Sequence, residues 1–195
     1  MDINKALRVE KKRGVRFYIL MGFIAVLLPL SLWLTGIFNS FFIFYVVIME
    51  ILIALVILKR ADRYKLEYSY KNNKLTFKSG VFGKKNLLLC DKISLVHTDG
   101  IEEDVKIIVI TTIKFRNSRL KPVVEGLLKR YPEMADEYRR VKNVNPNDIY
   151  YYLLIKKGGL KKYTLLGDIY TYCAKSAYTE EAVTSIKISR GYTID

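Results

Sequence analysis

Two uninterrupted apolar runs constrain this chain more than any other feature of its sequence. Residues 17–34 (FYILMGFIAVLLPLSLWL) and 41–58 (FFIFYVVIMEILIALVIL) each contain eighteen residues, and Glu50 is the only charged residue in them. At roughly 1.5 Å of rise per residue, each run makes about 27 Å of helix, close to the thickness of a hydrocarbon core. We therefore predict a two-helix transmembrane hairpin over residues 17–58, with an uncharged connector at 35–40.

A secretory signal peptide is the alternative explanation of the first run, because basic residues also precede it. The run is long for a signal core, however, and no small-residue cleavage site follows it. A second apolar run also comes directly after the connector. These features favour a membrane helix over a signal peptide.

Lysine and arginine are concentrated on both flanks of the hairpin and are missing from its connector. Since cytoplasmic loops carry an excess of these residues, we predict a two-span protein of the cell membrane with both termini in the cytoplasm. Residues 1–16 are then a basic cytoplasmic N-terminus facing a bilayer with an anionic inner leaflet, where each cation is worth roughly 1 kcal/mol. The predicted membrane-surface residues are Lys11, Lys12, Arg13, Arg16, Lys59, Arg60 and Arg63.

Glu50 lies near the middle of the second apolar run. An ionised side chain at the bilayer centre costs on the order of 2.5 kcal/mol or more, so Glu50 must be protonated, paired, or turned toward protein or water. A carboxylate in the second helix of a hairpin resembles the proton-carrying ring subunit of rotary ATPases, which implies an ion pathway. The glycine-rich helix packing of that family is missing, and we therefore favour a polar contact within a membrane assembly.

From Tyr64 the sequence changes to short strand-like stretches separated by Gly, Asn and Asp. Strands are predicted at 64–70, 75–78, 86–90, 93–97 and 105–115, because the first stretch alternates and the last two are rich in β-branched residues. Pro122 opens a helical stretch, which Pro132 kinks or restarts and which continues to Lys142. Residues 59–142 are thus predicted to form an α+β cytoplasmic domain.

This segment resembles the bacterial membrane-anchored domains of the pleckstrin-homology-like (PH-like) family. The resemblance covers about residues 15–142 and rests on Tyr64-x-Leu66, Lys74-Leu75-x-Phe77, Ser79-Gly80 and Asp91-Lys92-Ile93-x-x-Val96. It implies an antiparallel, partly open seven-stranded β-barrel capped by a helix over residues 123–142. The basic connector 116–121 and everything after residue 143 depart from the family pattern. Family membership implies no catalytic residues.

Residues 143–195 are predicted to be a C-terminal strand and helical extension. A linker at 143–148 (NVNPND) precedes an apolar stretch, 149–155, which is either a strand or the start of a helix. The spacing of apolar residues after Leu160 favours one helix. Thr179 followed by two glutamates is typical of the N-terminus of a second, and Gly191 suits its end.

No set of residues in the sequence predicts an active site, a metal site or a cofactor. His97 is the only histidine, and we interpret it as a polar residue at a strand end. Cys90 and Cys173 are distant in sequence and face a reducing cytoplasm in the predicted topology, so a disulfide or zinc pair is not expected. The segment 157–161 (KGGLK) lacks phosphate-loop spacing and is interpreted as a flexible turn, and the acidic segment 99–104 as a solvated turn.

The formal net charge of +14 raises the question of nucleic-acid binding. No recognition motif accompanies the basic residues, so nucleic acid is an unfavoured partner. A second basic group is instead a candidate interaction surface, formed by Arg116, Arg119, Lys121, Arg139 and Arg140.

The sequence therefore favours a non-enzymatic, membrane-anchored adaptor or accessory protein. Its cytoplasmic domain would contact another membrane protein or a second copy of the same chain. The alternative is an oligomerising membrane effector or channel-like protein that uses the hairpin and Glu50.

Overall fold

A computed structural model of the chain describes residues 3–36, 39–114 and 119–192. The helices in these ranges are α1 (Ile3–Thr35), α2 (Ser40–Tyr64), α3 (Glu125–Arg130), α4 (Pro132–Val144), α5 (Lys161–Tyr172) and α6 (Glu180–Ser189). The strands are β1 (Leu66–Lys71), β2 (Lys74–Ser79), β3 (Lys85–Leu89), β4 (Ile93–Asp99), β5 (Lys106–Thr111), β6 (Lys121–Pro122), β7 (Tyr151–Ile155) and β8 (Ala177–Tyr178).

The two apolar runs form helices that are long and apolar enough to cross a membrane, as predicted. No residue in the most apolar part of either helix is buried, which is unlike a core helix of a soluble protein. Both helices are longer than the runs themselves, since α1 begins at Ile3 and α2 continues to Tyr64. The added segments are rich in Lys and Arg, which are good helix formers, so no residue type stops the helix at the edge of the apolar run.

The strands form two sheets. In the first, β1, β2 and β3 make an antiparallel meander, and the second has the order β6-β7-β5-β4-β8. Neighbouring strands of the second sheet are antiparallel except β4 and β8. The barrel expected from the sequence is not found in the residues that the structure describes. β3 leads through a 3₁₀ turn, Cys90–Lys92, into β4 of the other sheet, so these strands belong to two separate sheets.

β5 is the centre of the α+β region. Ile107 and Val109 belong to a core shared with the three-stranded sheet and α5, whereas Ile108 and Ile110 belong to a core shared with α3 and α4. Both faces of the strand are therefore covered, which explains why its sequence is a continuous apolar run rather than an alternating one. The predicted helix over 123–142 is divided in two, because Pro132 begins α4.

The C-terminal extension completes the second sheet rather than following it. β7 lies between β5 and β6 and pairs with both. The two predicted helices are confirmed as α5 and α6, and the Thr179 side chain accepts a hydrogen bond from the amide of Ala182 at 3.4 Å.

The expectation that the two cysteines do not pair is wrong. Cys90 follows β3 and Cys173 follows α5, and the structure joins them in a disulfide across 83 residues of sequence. Their Cα atoms are 4.6 Å apart, within the range of disulfides. This proximity could not be predicted from the sequence, because it depends on α5 packing against the three-stranded sheet.

Candidate functional site at the helix–domain junction

The ends of α1 and α2 extend beyond the apolar runs and are held by the α+β region. At about 1.5 Å per residue, segment 3–16 adds roughly 21 Å to one helix and segment 59–64 about 9 Å to the other. We call the place where they meet the α+β region the junction. It consists of Glu10, Asp62, Tyr64, Glu103, Lys157 and the loop 158–160.

The N-terminal end of α1 packs into a small apolar cluster of the junction. Ile3 is 4% exposed and lies with Val105, Leu160 and Tyr163. Two turns further along the helix, Oε1 of Glu10 accepts a hydrogen bond of 3.1 Å from the backbone N–H of Leu160. Burial raises the pKa of the Glu10 carboxyl above its ordinary value, while this N–H opposes the rise.

Asp62 holds the C-terminal end of α2, which is predicted to lie in the cytoplasm. Its carboxylate accepts a hydrogen bond of 2.9 Å from the N–H of Val81 and pairs with the ammonium of Lys157. The hydrogen bond from Lys157 lowers the pKa of Asp62. The backbone N–H of Gly158 donates to the carbonyl of Arg63 at 2.8 Å, so main chain and side chain hold the same turn.

The glycine pair 158–159 is a docking loop, which corrects its interpretation as a flexible turn. Gly158 and Gly159 have φ angles of +132° and +52°, where side chains are disfavoured. A Cβ atom at Gly158 would lie 2.7 Å from a methyl carbon of Leu66. One at Gly159 would collide with the Glu10 carboxylate and approach the Tyr64 ring to 2.8 Å. Only glycine lets the loop approach both helices this closely.

Lys162, directly after this loop, is a buried cation that sequence reasoning missed. It has no exposed surface, and its ammonium donates to the carbonyls of Glu103 (2.8 Å), Lys156 (3.1 Å) and Val105. Burial lowers its pKa to about 8. Lys162 thus ties the loop to the segment before β5.

Glu103 in turn connects that segment to both long helices. Its Oε2 accepts a hydrogen bond of 2.8 Å from the Tyr64 hydroxyl, and its Oε1 lies 3.6 Å from an Arg13 guanidinium nitrogen. The acidic segment 99–104, interpreted as a solvated turn, therefore supplies a contact at the junction.

The predicted membrane-surface residues surround the junction. Arg60 is partly buried, with its guanidinium 4.2 Å from the ring centre of Phe17 and 5.2 Å from that of Tyr64. This cation–π stacking joins the two long helices. The other predicted residues are exposed, namely Lys11, Lys12, Arg13, Arg16, Lys59 and Arg63.

Glu50 lies on the side of α2 that faces α1. The partly buried residues of this part of α2 recur at helical spacing, at Val46, Met49, Glu50, Ile53 and Ile57. The Oε1 atom of Glu50 is buried and has no hydrogen-bond partner among the residues described. Large apolar side chains on the remaining faces of both helices are exposed.

The second predicted basic group is divided in space. Arg119 and Lys121 line one cavity together with Lys156 and Lys157. By contrast, Arg139 and Arg140 lie on α4 and pair with acids one turn earlier, at 3.1 and 2.7 Å. Arg116 lies outside the described residues.

His97 is buried rather than placed at an exposed strand end. Its Nδ1 lies 2.9 Å from the Thr179 hydroxyl and 3.5 Å from a carboxylate oxygen of Glu181. Burial lowers the pKa of His97, which Glu181 partly opposes. Within the ranges given above, no group of three or more His, Cys, Asp or Glu has an arrangement that could hold a metal ion.

Comparison of the chain with protein-family models, curated proteins and solved structures finds no significant match. The junction must therefore be interpreted from its own geometry. One sequence signal could have located it: Glu10 and Asp62 are acids surrounded by Lys and Arg in the basic segments that flank the hairpin.

Proposed function

We propose that this protein is a non-enzymatic, membrane-anchored adaptor. Its two long helices cross the membrane as a hairpin, and its α+β domain is held at the cytoplasmic surface for contact with a membrane-protein partner or a second copy of the chain. The observation that carries the proposal is the junction. An anchor on a flexible tether needs no such set of contacts, whereas a domain that must be presented in a fixed orientation does.

The orientation within the proposal is supported by the basic ends of both helices and the uncharged connector. The disulfide between Cys90 and Cys173 is the one feature more typical of an oxidising compartment. A cysteine-accessibility measurement at Ser40, in a chain whose own cysteines are replaced by serine, tests the orientation directly. Labelling of intact cells at Ser40→Cys supports it, and protection of that position overturns it.

The PH-like relationship remains part of the proposal. It is supported by the antiparallel pairing of β1 with β2, β2 with β3 and β4 with β5, and by the helices that follow these strands. The insertion of β7 beside β5 departs from that pattern, and we propose that it is specific to this chain.

Glu50 lies on the side of α2 that faces α1 but is only partly buried, so a partner would reach it at the edge of the helix pair. A carboxyl group in hydrocarbon requires a polar partner, and the described part of the chain supplies none for its Oε1 atom. Interhelical hydrogen bonds in membranes are worth about 0.6–2 kcal/mol, enough to select a partner without anchoring it alone.

Affinity purification of the full chain in mild detergent tests the adaptor proposal. We expect wild type and Glu50→Gln, which keeps a hydrogen-bonding side chain, to retain a stoichiometric membrane partner or a second copy. Glu50→Leu should lose it, while Ile51→Leu, an exposed position on the same helix, serves as the matched control. A monomeric chain with no partner in all four preparations contradicts the proposal.

An oligomerising effector or channel is the second candidate, and Glu50 is the observation that favours it. Expression of the chain in cells with a membrane-potential dye distinguishes the two functions. Depolarisation that disappears in Glu50→Gln supports the channel, because that substitution removes the titratable group but keeps its size. An unchanged potential in both cases supports the adaptor.

A further inference from the structure

We infer that the junction holds the headgroup of one anionic phospholipid, in a cavity between α1, α2 and the start of α5. The cavity has a volume of about 520 Å³, within the range of small-molecule sites. The residues of its lining that matter here are Arg8, Lys11, Gly14, Tyr18, Arg60 and Lys161. The inference rests on the proposed membrane insertion and gives the junction a ligand.

The charge of the cavity is complementary to a phosphodiester. Four cations line it, whereas Glu10 is its only acid, and the Glu10 carboxylate already accepts the Leu160 N–H. No salt bridge within residues 3–36, 39–114 and 119–192 involves Arg8, Lys11, Arg60 or Lys161. Arg60 lies over two aromatic rings and has no acidic partner among the described residues, and a guanidinium suits phosphate oxygens.

The depth of the cavity matches the headgroup layer. Tyr18 is the second residue of the first apolar run, and Lys11 lies seven residues before it on α1. At about 1.5 Å per residue these positions are roughly 10 Å apart along the helix, so the cavity extends across the headgroup layer, which is about 5–8 Å thick in one leaflet. Arg60 follows the second apolar run by two residues, or about 3 Å, which places it within that layer.

The lower part of the cavity is apolar and leads toward the hydrocarbon. Val15 and Tyr18 line it there, and most of its exposed lining is carbon. Gly14 leaves open space between the helices, since no atom lies within 4 Å of where its Cβ would be. A free phosphate would use only the cations, whereas a phospholipid also fills this apolar part. The occupant we assign is therefore a lipid.

Native mass spectrometry of the full chain in detergent micelles, titrated with phosphatidylglycerol or phosphatidylcholine, tests the assignment. We expect one phosphatidylglycerol to bind at least tenfold more tightly than phosphatidylcholine. Lys11→Gln/Lys161→Gln removes two cations from the cavity and should weaken this binding tenfold or more. The matched control, Lys12→Gln/Lys59→Gln, removes two cations that do not line it and should leave the binding unchanged.

Two glycine-to-leucine substitutions on α1 test the site without altering its charge. Gly14→Leu fills the cavity and should abolish the tight site, and it does not threaten the fold because leucine is a better helix former than glycine. Gly22→Leu, also on α1 with nothing within 4 Å of its Cβ position, should have no effect.

An equal loss of phosphatidylglycerol binding in the two double variants would show that the lipid is attracted diffusely by surface charge, and it would overturn the inference. So would tight binding that survives Gly14→Leu, or inorganic phosphate that displaces the lipid at equal concentration. Resistance of the chain to carbonate extraction from vesicles is measured in parallel. Extraction of wild type would refute membrane insertion itself, whereas a retained chain without lipid preference would refute only the lipid site.

Discussion

Gly159→Ala is the substitution that most directly tests whether the junction clamps α1 to the α+β domain. Alanine at this position must adopt a φ angle of +52°, and its methyl group would displace the Glu10 carboxylate from the Leu160 N–H. Gly191→Ala is its matched control. Gly191 has a φ angle of +83° but nothing within 4 Å of its Cβ position, so the control carries the backbone cost alone.

The expected size of the effect follows from the backbone cost of the left-handed conformation and the loss of the Glu10–Leu160 hydrogen bond. A left-handed conformation costs a non-glycine residue about 1–2 kcal/mol, and this term is shared by both variants. Loss of a hydrogen bond to a charged group adds about 1.5–3 kcal/mol in Gly159→Ala only. Since 1.4 kcal/mol is a factor of ten in an equilibrium constant, the undocked form of α1 should be populated about 10- to 100-fold more than in the control.

Hydrogen exchange of the full chain in detergent micelles measures this population. We expect amides of segment 3–14 to exchange about 10- to 100-fold faster in Gly159→Ala than in Gly191→Ala, because local opening exposes them. Amides of β5, which lies in the core away from the junction loop, should exchange alike in both. Equal exchange of segment 3–14 in the two variants would refute the clamp, and so would a loss of protection spread over the whole domain.

Three further predictions concern other parts of the molecule. Between about pH 8 and 10.5, Lys162 has released a proton in the folded protein that the unfolded chain still holds. The unfolding free energy of wild type should therefore rise with pH by up to about 3 kcal/mol relative to that of Lys162→Met. Denaturant titration in detergent measures this difference. A difference in unfolding free energy between the two proteins that does not change with pH over this range would contradict the burial of the Lys162 ammonium. Phe82 is 76% exposed and follows Val81, which contacts Asp62 just beyond the second apolar run, so it should touch the bilayer. Phe82→Trp, in a chain with Trp33→Phe, should be quenched by brominated lipid, and fluorescence that lipid leaves unaltered would contradict this placement. The disulfide between Cys90 and Cys173 spans 83 residues, so reduction of the oxidised protein should lower its unfolding free energy by about 4.5 kcal/mol. Acid-quenched cells should yield both cysteines as thiols if the domain is cytoplasmic, and as a disulfide if it is not.

Local patterns in the sequence predicted the elements well, and the reason is physical. Apolar runs and alternation arise from burial of one face or of none, so β1 to β5 were located to within a few residues, except for the end of the strand predicted at 105–115. The apolar runs located the two long helices but not their full extent, since α1 begins 14 residues before its run and α2 ends six residues after its run. Thr179 marked the start of α6 because a capping hydroxyl acts within three residues of itself. Such signals are contained in short windows of sequence.

The arrangement of the elements and most of the junction were not predictable in this way. The position of β7 beside β5 depends on pairing across more than forty residues, and the disulfide on packing across 83. Gly158 and Gly159 resemble any turn until Glu10 and Leu66 are seen beside them. Lys162 resembles its neighbour Lys161, although one is fully buried and the other exposed. Burial of this kind is decided by tertiary contacts.

The clamp on α1 has a consequence for the order in which the molecule is assembled. Glu10 is synthesised 150 residues before its partner Leu160. The proposed hairpin can enter the bilayer as soon as both apolar runs are made, but segment 3–16 cannot dock until about 100 further residues have been synthesised. A product terminated before residue 160 would therefore be left with an undocked, protease-accessible segment 3–16.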